Sequence, residues 1–278
     1  MKKAAAILVA FLGAFAWSFG QSGDKPATAA PAAGQAAAPA AAPQGKRPAQ
    51  AKTQPEFEAY NAAKALTDPA ASEKAADDFA VKFPDSELRP LLYSAAMSRY
   101  QQANNADKMM DMAKKILTYD PDSPEALLGV AQVLAERTRD TDLDKDQKLA
   151  EAKKDAERAL VTVETDIPTS GIAQDQLDAY KGFIKSEAYA ILGTLAFTAK
   201  NWPDAESNLR KSIDALPQQP DPIAVFRLSV ALDMQNKYPE ALKYANQAVD
   251  LTKDRPDSAA SKAAQAEKDR LTKLNMGK

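Results

Sequence analysis

The chain of 278 residues contains no cysteine and no histidine. Without cysteine there can be no disulfide, no thiol nucleophile and no lipoprotein anchor. Without histidine the chain lacks the most common general base of enzymes, and without either residue it lacks the usual ligands of zinc. The sequence therefore predicts a protein that is stabilised by packing alone.

Glycine is scarce, with 10 residues, and aromatic residues make up only 7% of the chain. Alanine, leucine, lysine, glutamate, aspartate and glutamine are abundant, and this composition favours helices over strands. The formal net charge is −2, and no lysine or arginine cluster is dense enough to follow a phosphate backbone. No acidic pair lies in a recognisable catalytic motif. These features predict an all-α protein that is not an enzyme and does not bind nucleic acid.

The N-terminus has the pattern of an export signal. The basic start Met-Lys-Lys is followed by an uncharged apolar run over residues 4–19, with small residues at Ser18 and Gly20. The run is shorter than the roughly 20 residues that span a bilayer. We interpret residues 1–20 as a signal peptide, which predicts a periplasmic or secreted protein. The alternative is an uncleaved N-terminal anchor, which would be the chain's contact with the membrane.

Residues 21–55 are rich in alanine, proline and glutamine and contain almost no large apolar side chain. A segment with so little to bury is typical of a disordered linker.

From residue 56 onward the sequence repeats itself at intervals of 34 to 36 residues. Two small or flexible residues recur 12 positions apart in four repeats, as the pairs Ala63/Ala75, Met97/Met109, Gly193/Ala205 and Ser229/Ala241. Two antiparallel helices cross closely only where the facing positions lack bulk. A single hairpin cannot bury its apolar side alone, so a fixed period of this length predicts stacked helical hairpins.

The pattern resembles the tetratricopeptide repeat (TPR) family. The best match runs from Tyr189 through Leu192-Gly193 and Ala196 to Ala205 and Leu209. The resemblance implies a right-handed α-solenoid of about five TPR-like hairpins over residues 56–254. Residues 255–278 would form a C-terminal capping helix and tail.

Two insertions interrupt the period. The hairpin that contains Ala131 and Ala152 has nine extra residues, and another 19 lie between Asp166 and Ser186. In the second insertion we predict a turn over residues 167–171. A helix should then begin at Gln174 and run without a break into Tyr189 and beyond.

The resemblance also implies that a protein or peptide partner binds a concave face lined by the first helix of each hairpin. In that register, polar, aromatic or charged side chains form the predicted binding set: Ser98, Gln101, Gln132, Thr194, Phe226 and Arg227. Leu91, Ser94, Glu125 and Glu187 lie in the same register. The positions that carry asparagine in carboxylate-clamp members hold other residues, so a carboxylate clamp is not predicted.

One acidic segment resembles a calcium-binding loop. Asp140, Asp142, Asp144 and Glu151 occupy positions 1, 3, 5 and 12 of such a loop, but Lys145 stands where the sharp turn needs glycine. The segment is either a weak calcium site or an ordinary solvated hairpin loop. No other cofactor is predicted.

The leading functional hypothesis is a non-enzymatic interaction scaffold in the cell envelope. Two alternatives remain open: a cation- or ligand-sensing module that uses the acidic loop 140–151, and a self-assembling structural repeat protein.

Overall fold

The computed structural model describes residues 46–169 and 171–276. These residues form eleven helices and no strand, which confirms the predicted all-α fold. The helices are α1 (Gln54–Lys64), α2 (Pro69–Lys82), α3 (Arg89–Gln102), α4 (Ala106–Tyr119), α5 (Pro124–Arg137), α6 (Lys145–Thr165), α7 (Gln174–Thr198), α8 (Trp202–Ala215), α9 (Pro222–Asp233), α10 (Tyr238–Thr252) and α11 (Ala259–Met276). None of them combines the length and the apolar character that crossing a membrane requires. The predicted signal peptide, residues 1–20, and most of the predicted linker lie outside the described residues.

The helices pack in sequence as five hairpins, α1/α2 to α9/α10, and α11 packs on α10 and α9. The first helices of the hairpins (α1, α3, α5, α7 and α9) form one layer, which we call the first-helix face. Neighbouring first helices contact each other along this layer, except that α3 and α5 make few contacts. The structure is therefore a helical repeat whose first helices pack least closely between α3 and α5.

The same tight turn joins the helices of three hairpins. Asn104, Lys200 and Asn236 have positive φ angles of 55°, 57° and 60°. In each turn the amide of the following residue donates to a carbonyl five positions earlier, at 2.9 Å. This arrangement satisfies carbonyls at the end of the first helix. The turns thus repeat in structure as well as in sequence.

The small positions lie where the helices of a hairpin cross, as the sequence predicts. A β-carbon at Gly193 would lie 2.7 Å from the Cγ of Leu209, which is fully buried. At the equivalent position in the next hairpin, the Ser229 hydroxyl donates to the Ala241 carbonyl at 2.8 Å. The crossing therefore has room for glycine in one repeat and for a hydrogen-bonded serine in the next.

The helix predicted across the second insertion is also confirmed. Helix α7 extends over 25 residues from Gln174 to Thr198 without a break. Ile184 is 1% exposed and fixes the inserted part of the helix in the core. At the C-terminus, Ala264 and Leu271 of α11 are both fully buried, so this helix covers the apolar side of the last hairpin.

The structure differs from the sequence prediction at the end of the linker. Residues 46–53, which we call the N-terminal segment, lie in extended form against the helices, and α1 begins at Gln54. Thr53 Oγ1 accepts from the Glu56 amide at 3.3 Å, and Glu56 Oε2 accepts from the Lys52 amide at 2.6 Å. This reciprocal cap starts the helix at Gln54, two residues before the predicted start of the repeat region.

Candidate binding groove

A groove of about 1100 Å³ lies on the first-helix face, beside the starts of α3 and α5. Its walls come from the N-terminal segment, from α1, and from the starts of α3, α5 and α7. Large apolar and aromatic side chains line much of it, including Phe57, Tyr60, Leu91, Ile167, Leu177 and Tyr180. A concave surface of this size and character suits an extended peptide segment.

One wall of the groove is built by the second insertion. Ile167 and Ile172 precede α7, and Leu177 and Tyr180 lie in its first two turns. Ile167 is 5% exposed and Leu177 is 7% exposed, so the wall is anchored in the core rather than attached loosely. The residues that interrupt the repeat thus shape the groove.

Glu125 provides a polar anchor in this apolar surface. It is the second residue of α5, and its carboxylate accepts hydrogen bonds from the Tyr180 hydroxyl and from Ser94 Oγ, the latter at 3.2 Å. Burial raises the pKa of Glu125, and the two hydroxyl donors act in the opposite direction. The position in the first turn of a helix also favours a negative charge. The Glu125 carboxylate is therefore held in one orientation by side chains from α3 and α7.

An aromatic stack forms the rim beside α4. The rings of Tyr93 and Tyr119 stack with centroids 5.9 Å apart and an interplanar angle of 7°. The Arg89 guanidinium lies 4.3 Å from the centroid of the Tyr119 ring. Tyr119 and Leu91 each remain 37% exposed. This rim offers a flat aromatic and cationic surface that a partner side chain can contact.

The N-terminal segment already occupies one side of the groove. Lys46 Nζ lies 2.6 Å from Asp120 Oδ1, and Arg47 forms an ion pair with Glu87. Lys52 Nζ donates to the Asp85 carbonyl at 2.7 Å. One side of the groove is therefore a basic stretch of this chain, held by acceptors on the helical array.

The residues predicted to bind a partner do not line this groove. Ser98 is 7% exposed, and Gln132 Nε2 donates to Glu136 at 3.3 Å. The structure brings two members of the set together, because Arg227 donates to Thr194 Oγ1 at 2.7 Å. Gln101 and Phe226 are half-buried on α3 and α9. Three other residues of the same predicted face, Leu91, Ser94 and Glu125, do line the groove.

The C-terminal part of the first-helix face carries a different group of charges. Burial is the main cause that raises the pKa of Glu187 to about 7, and the nearby carboxylates of Asp221 and Glu136 add to the rise. Within the described ranges, no hydrogen bond or ion pair reaches the Glu187 carboxylate. Burial also lowers the pKa of Arg227, against the effect of Asp221 and Glu136. This region is polar, and the bond between Arg227 and Thr194 links α9 to α7.

The acids of the loop 140–151 point toward lysines. Asp140 pairs with Lys145 at 2.7 Å, and Lys148 pairs with both Asp142 at 3.2 Å and Asp144 at 2.9 Å. Helix α6 begins at Lys145, so Glu151 lies on an exposed helical turn. Over the part of the chain that the structure describes, no three acidic residues are grouped so that they could hold a metal ion. Calcium binding by this loop stays a prediction that titration of the protein with calcium tests.

Comparison with known proteins adds a structural likeness. No family model matches the chain, and no curated protein matches it. The chain is similar to a solved structure described as the assembly chaperone of RpL4 (Acl4), residues 1–338, with 14% identity and a TM-score of 0.38. The match covers 80% of this chain and 98% of that chain. Both the identity and the TM-score are too low for this likeness to bear on function.

Proposed function

We propose that this chain is a non-enzymatic interaction module of TPR type that binds an extended segment of a partner protein in the groove. One observation carries the proposal: the first-helix face has a largely apolar groove, one side of which is a stretch of chain held against the helices. The repeats supply a rigid frame, and the second insertion supplies a wall that regular repeats lack. The tetratricopeptide assignment, which rests on the repeat pattern, is part of the proposal.

The chemistry of the groove suits binding better than catalysis. Leu91, Leu177 and the Tyr119 ring offer apolar and aromatic surface, on which a few anchoring side chains supply most of the affinity. Glu125 is fixed by two hydroxyl donors, so it is oriented to receive a donor from a bound segment. Neither feature provides a nucleophile with an adjacent base.

A peptide library displayed on phage tests the proposal on the full chain. We expect convergent peptides, because the groove has fixed walls. Leu91→Asp should weaken their binding by roughly tenfold or more, since it places a charge on an apolar contact surface. Val161→Asp is the matched control, because Val161 is 66% exposed on α6 and does not line the groove. Failure to select convergent peptides, or equal losses in both variants, would contradict the proposal.

We also propose that the protein acts in the cell envelope after export. The support is the basic and apolar pattern of residues 1–20. Cell fractionation and mass spectrometry of the mature protein test it. Cleavage near Gly20, with loss of export when residues 1–20 are deleted, is the expected result. An intact chain that stays in the cytoplasm would argue against an envelope function and leave the groove proposal standing.

A further inference from the structure

The N-terminal segment is bound by its cationic side chains at separate points of the groove. Lys46 reaches Asp120 at the end of α4, and Arg47 reaches Glu87 in the turn before α3. Lys52 reaches the backbone carbonyl of Asp85. Its three basic side chains therefore all have acceptors on the folded array. An extended segment without specific recognition would leave such side chains in solvent.

Glu87 contacts both the side chain and the backbone of the segment. One carboxylate oxygen pairs with Arg47, and the other accepts from the Gln50 amide at 3.4 Å. The hydrogen bond from Arg47 is the main cause that lowers the pKa of Glu87. Recognition of an extended chain through its backbone together with spaced side chains is the usual mode of peptide binding by grooves.

The segment forms one side of the groove and leaves the rest of it open. Ala49 and Ala51 are half-buried against the core, but alanine is small. Leu91 and Tyr119 remain 37% exposed beside it. The ion pairs are also partly exposed, with 40% of the Lys46 side chain and 66% of the Arg47 side chain accessible. Exposed ion pairs of this kind contribute little each, so the segment is held in a way that a competitor can reverse.

We propose that residues 46–53 are an intramolecular ligand of the groove, and that the partner is an extended segment with two adjacent basic residues followed by small residues, which displaces them from Glu87 and Asp120. The inference rests on the proposed function and names the chemistry of the partner. A tethered ligand has an effective concentration in the millimolar range, so a partner segment must compete with it.

The test uses the full chain and a free peptide, Lys-Arg-Pro-Ala-Gln-Ala-Lys-Thr, which copies residues 46–53. Peptide is titrated into isotope-labelled protein, and the NMR shifts of residues 85–91 and 119–125 report binding. We expect weak binding to the wild type. Lys46→Glu with Arg47→Glu repels the chain's own segment from Glu87 and Asp120, and it should tighten binding of the free peptide roughly tenfold or more.

A control pair changes the net charge equally, away from the groove. Lys74→Glu with Lys153→Glu removes two cations that pair with neighbours on their own helices. This variant should bind the peptide as the wild type does. A second pair, Glu87→Lys with Asp120→Lys, should lose the peptide and gain a version that carries glutamate at its first two positions. Circular dichroism confirms that each variant is folded.

The outcomes separate this inference from the proposed function. If the Lys46→Glu, Arg47→Glu chain binds the peptide no tighter than the wild type, or if the control pair gains equally, the inference is overturned. If library peptides bind through Leu91 but are not displaced by the free peptide, the inference fails and the proposed function stands. If peptides of neither kind bind, both fail.

Discussion

The N-terminal and C-terminal parts of the first-helix face are built from the same kind of hairpin but present different surfaces. Between α7 and α9 the helices contact each other, and the hydrogen bond from Arg227 to Thr194 spans the contact. Between α3 and α5 the contacts are fewer, and a groove of about 1100 Å³ lies beside the starts of the two helices. The first helices of the regular C-terminal repeats thus contact each other, whereas the interrupted repeat contributes a wall to a groove.

The interruption of the repeat supplies one wall of the groove. The second insertion adds residues before the regular part of α7, and Leu177 and Tyr180 in those added turns form a wall of the groove. Tyr180 also donates to Glu125, so the wall and α5 are joined by a polar contact as well as by close packing. The C-terminal hairpins have no such addition.

The largest expected effect comes from removing a core side chain in each part. Leu228→Ala, at a fully buried position of α9, should lower the free energy of unfolding by about 3–4 kcal/mol. Leu177→Ala should cost about 2–3 kcal/mol, since one side of Leu177 faces the groove. Urea unfolding measures both changes. Of the two variants, only Leu177→Ala should weaken peptide binding, because Leu177 lines the groove and Leu228 does not. An equal loss of binding in Leu228→Ala would show that the distinction is wrong.

A smaller effect distinguishes two acids on the same face. The pKa of Glu187 is raised from its ordinary 4.5 to about 7, so the folded protein holds an extra proton between these values and loses stability as pH rises through this range. Glu187→Gln removes that loss and should stabilise the protein by about 1–2 kcal/mol at pH 8, and by less at pH 5.

Glu125→Gln is the counterpart in the groove. Burial raises the pKa of Glu125 as well, but its two hydroxyl donors oppose the rise, so Glu125→Gln should stabilise the protein at pH 8 by less than Glu187→Gln does. Urea unfolding at pH 5 and pH 8 measures both variants. An equal or larger stabilisation by Glu125→Gln at pH 8 would contradict the contrast between a paired and an unpaired carboxylate.

The smallest effect concerns the shared turn. Lys200 holds a φ of 57°, a conformation that costs lysine more than asparagine. Asn104 and Asn236 occupy the same position in the other two turns. Lys200→Asn should therefore raise the free energy of unfolding by roughly 0.5 kcal/mol, and Asn104→Lys should lower it by a similar amount. Thermal unfolding is the measurement. If neither variant changes the free energy of unfolding, the turns do not share this preference for asparagine.

The repeated features of the fold could be predicted from the sequence because they recur. Gly193 and Ser229 occupy equivalent positions, and the structure places both at helix crossings. The apolar residues of α7 indicated one long helix, which the structure confirms. A feature that recurs appears several times in the sequence, so each copy independently indicates the same structure.

The groove was not predicted, because it depends on residues that do not recur. The register correctly placed Leu91, Ser94 and Glu125 on the first-helix face, but it gave no information on where a groove lies. The predicted set, which included Ser98 and Arg227, was chosen by residue type along the whole face. Apolar residues such as Ile167 and Leu177 within the insertion were the available signal for a wall.

The N-terminal segment was missed for a related reason. The composition of residues 21–55 as a whole indicates a linker, and it outweighed the local signal of a helix start at Thr53 and Glu56. A capping pair occupies four residues and is easily hidden in an average over many.

The most direct test of the account is hydrogen exchange of the full chain, measured by mass spectrometry with and without a library-selected peptide. The account predicts added protection at residues 85–95 and at the start of α7, together with faster exchange at residues 46–53 as the N-terminal segment is displaced. Protection confined to α9 and α10, or to the second helices of the hairpins, would contradict it.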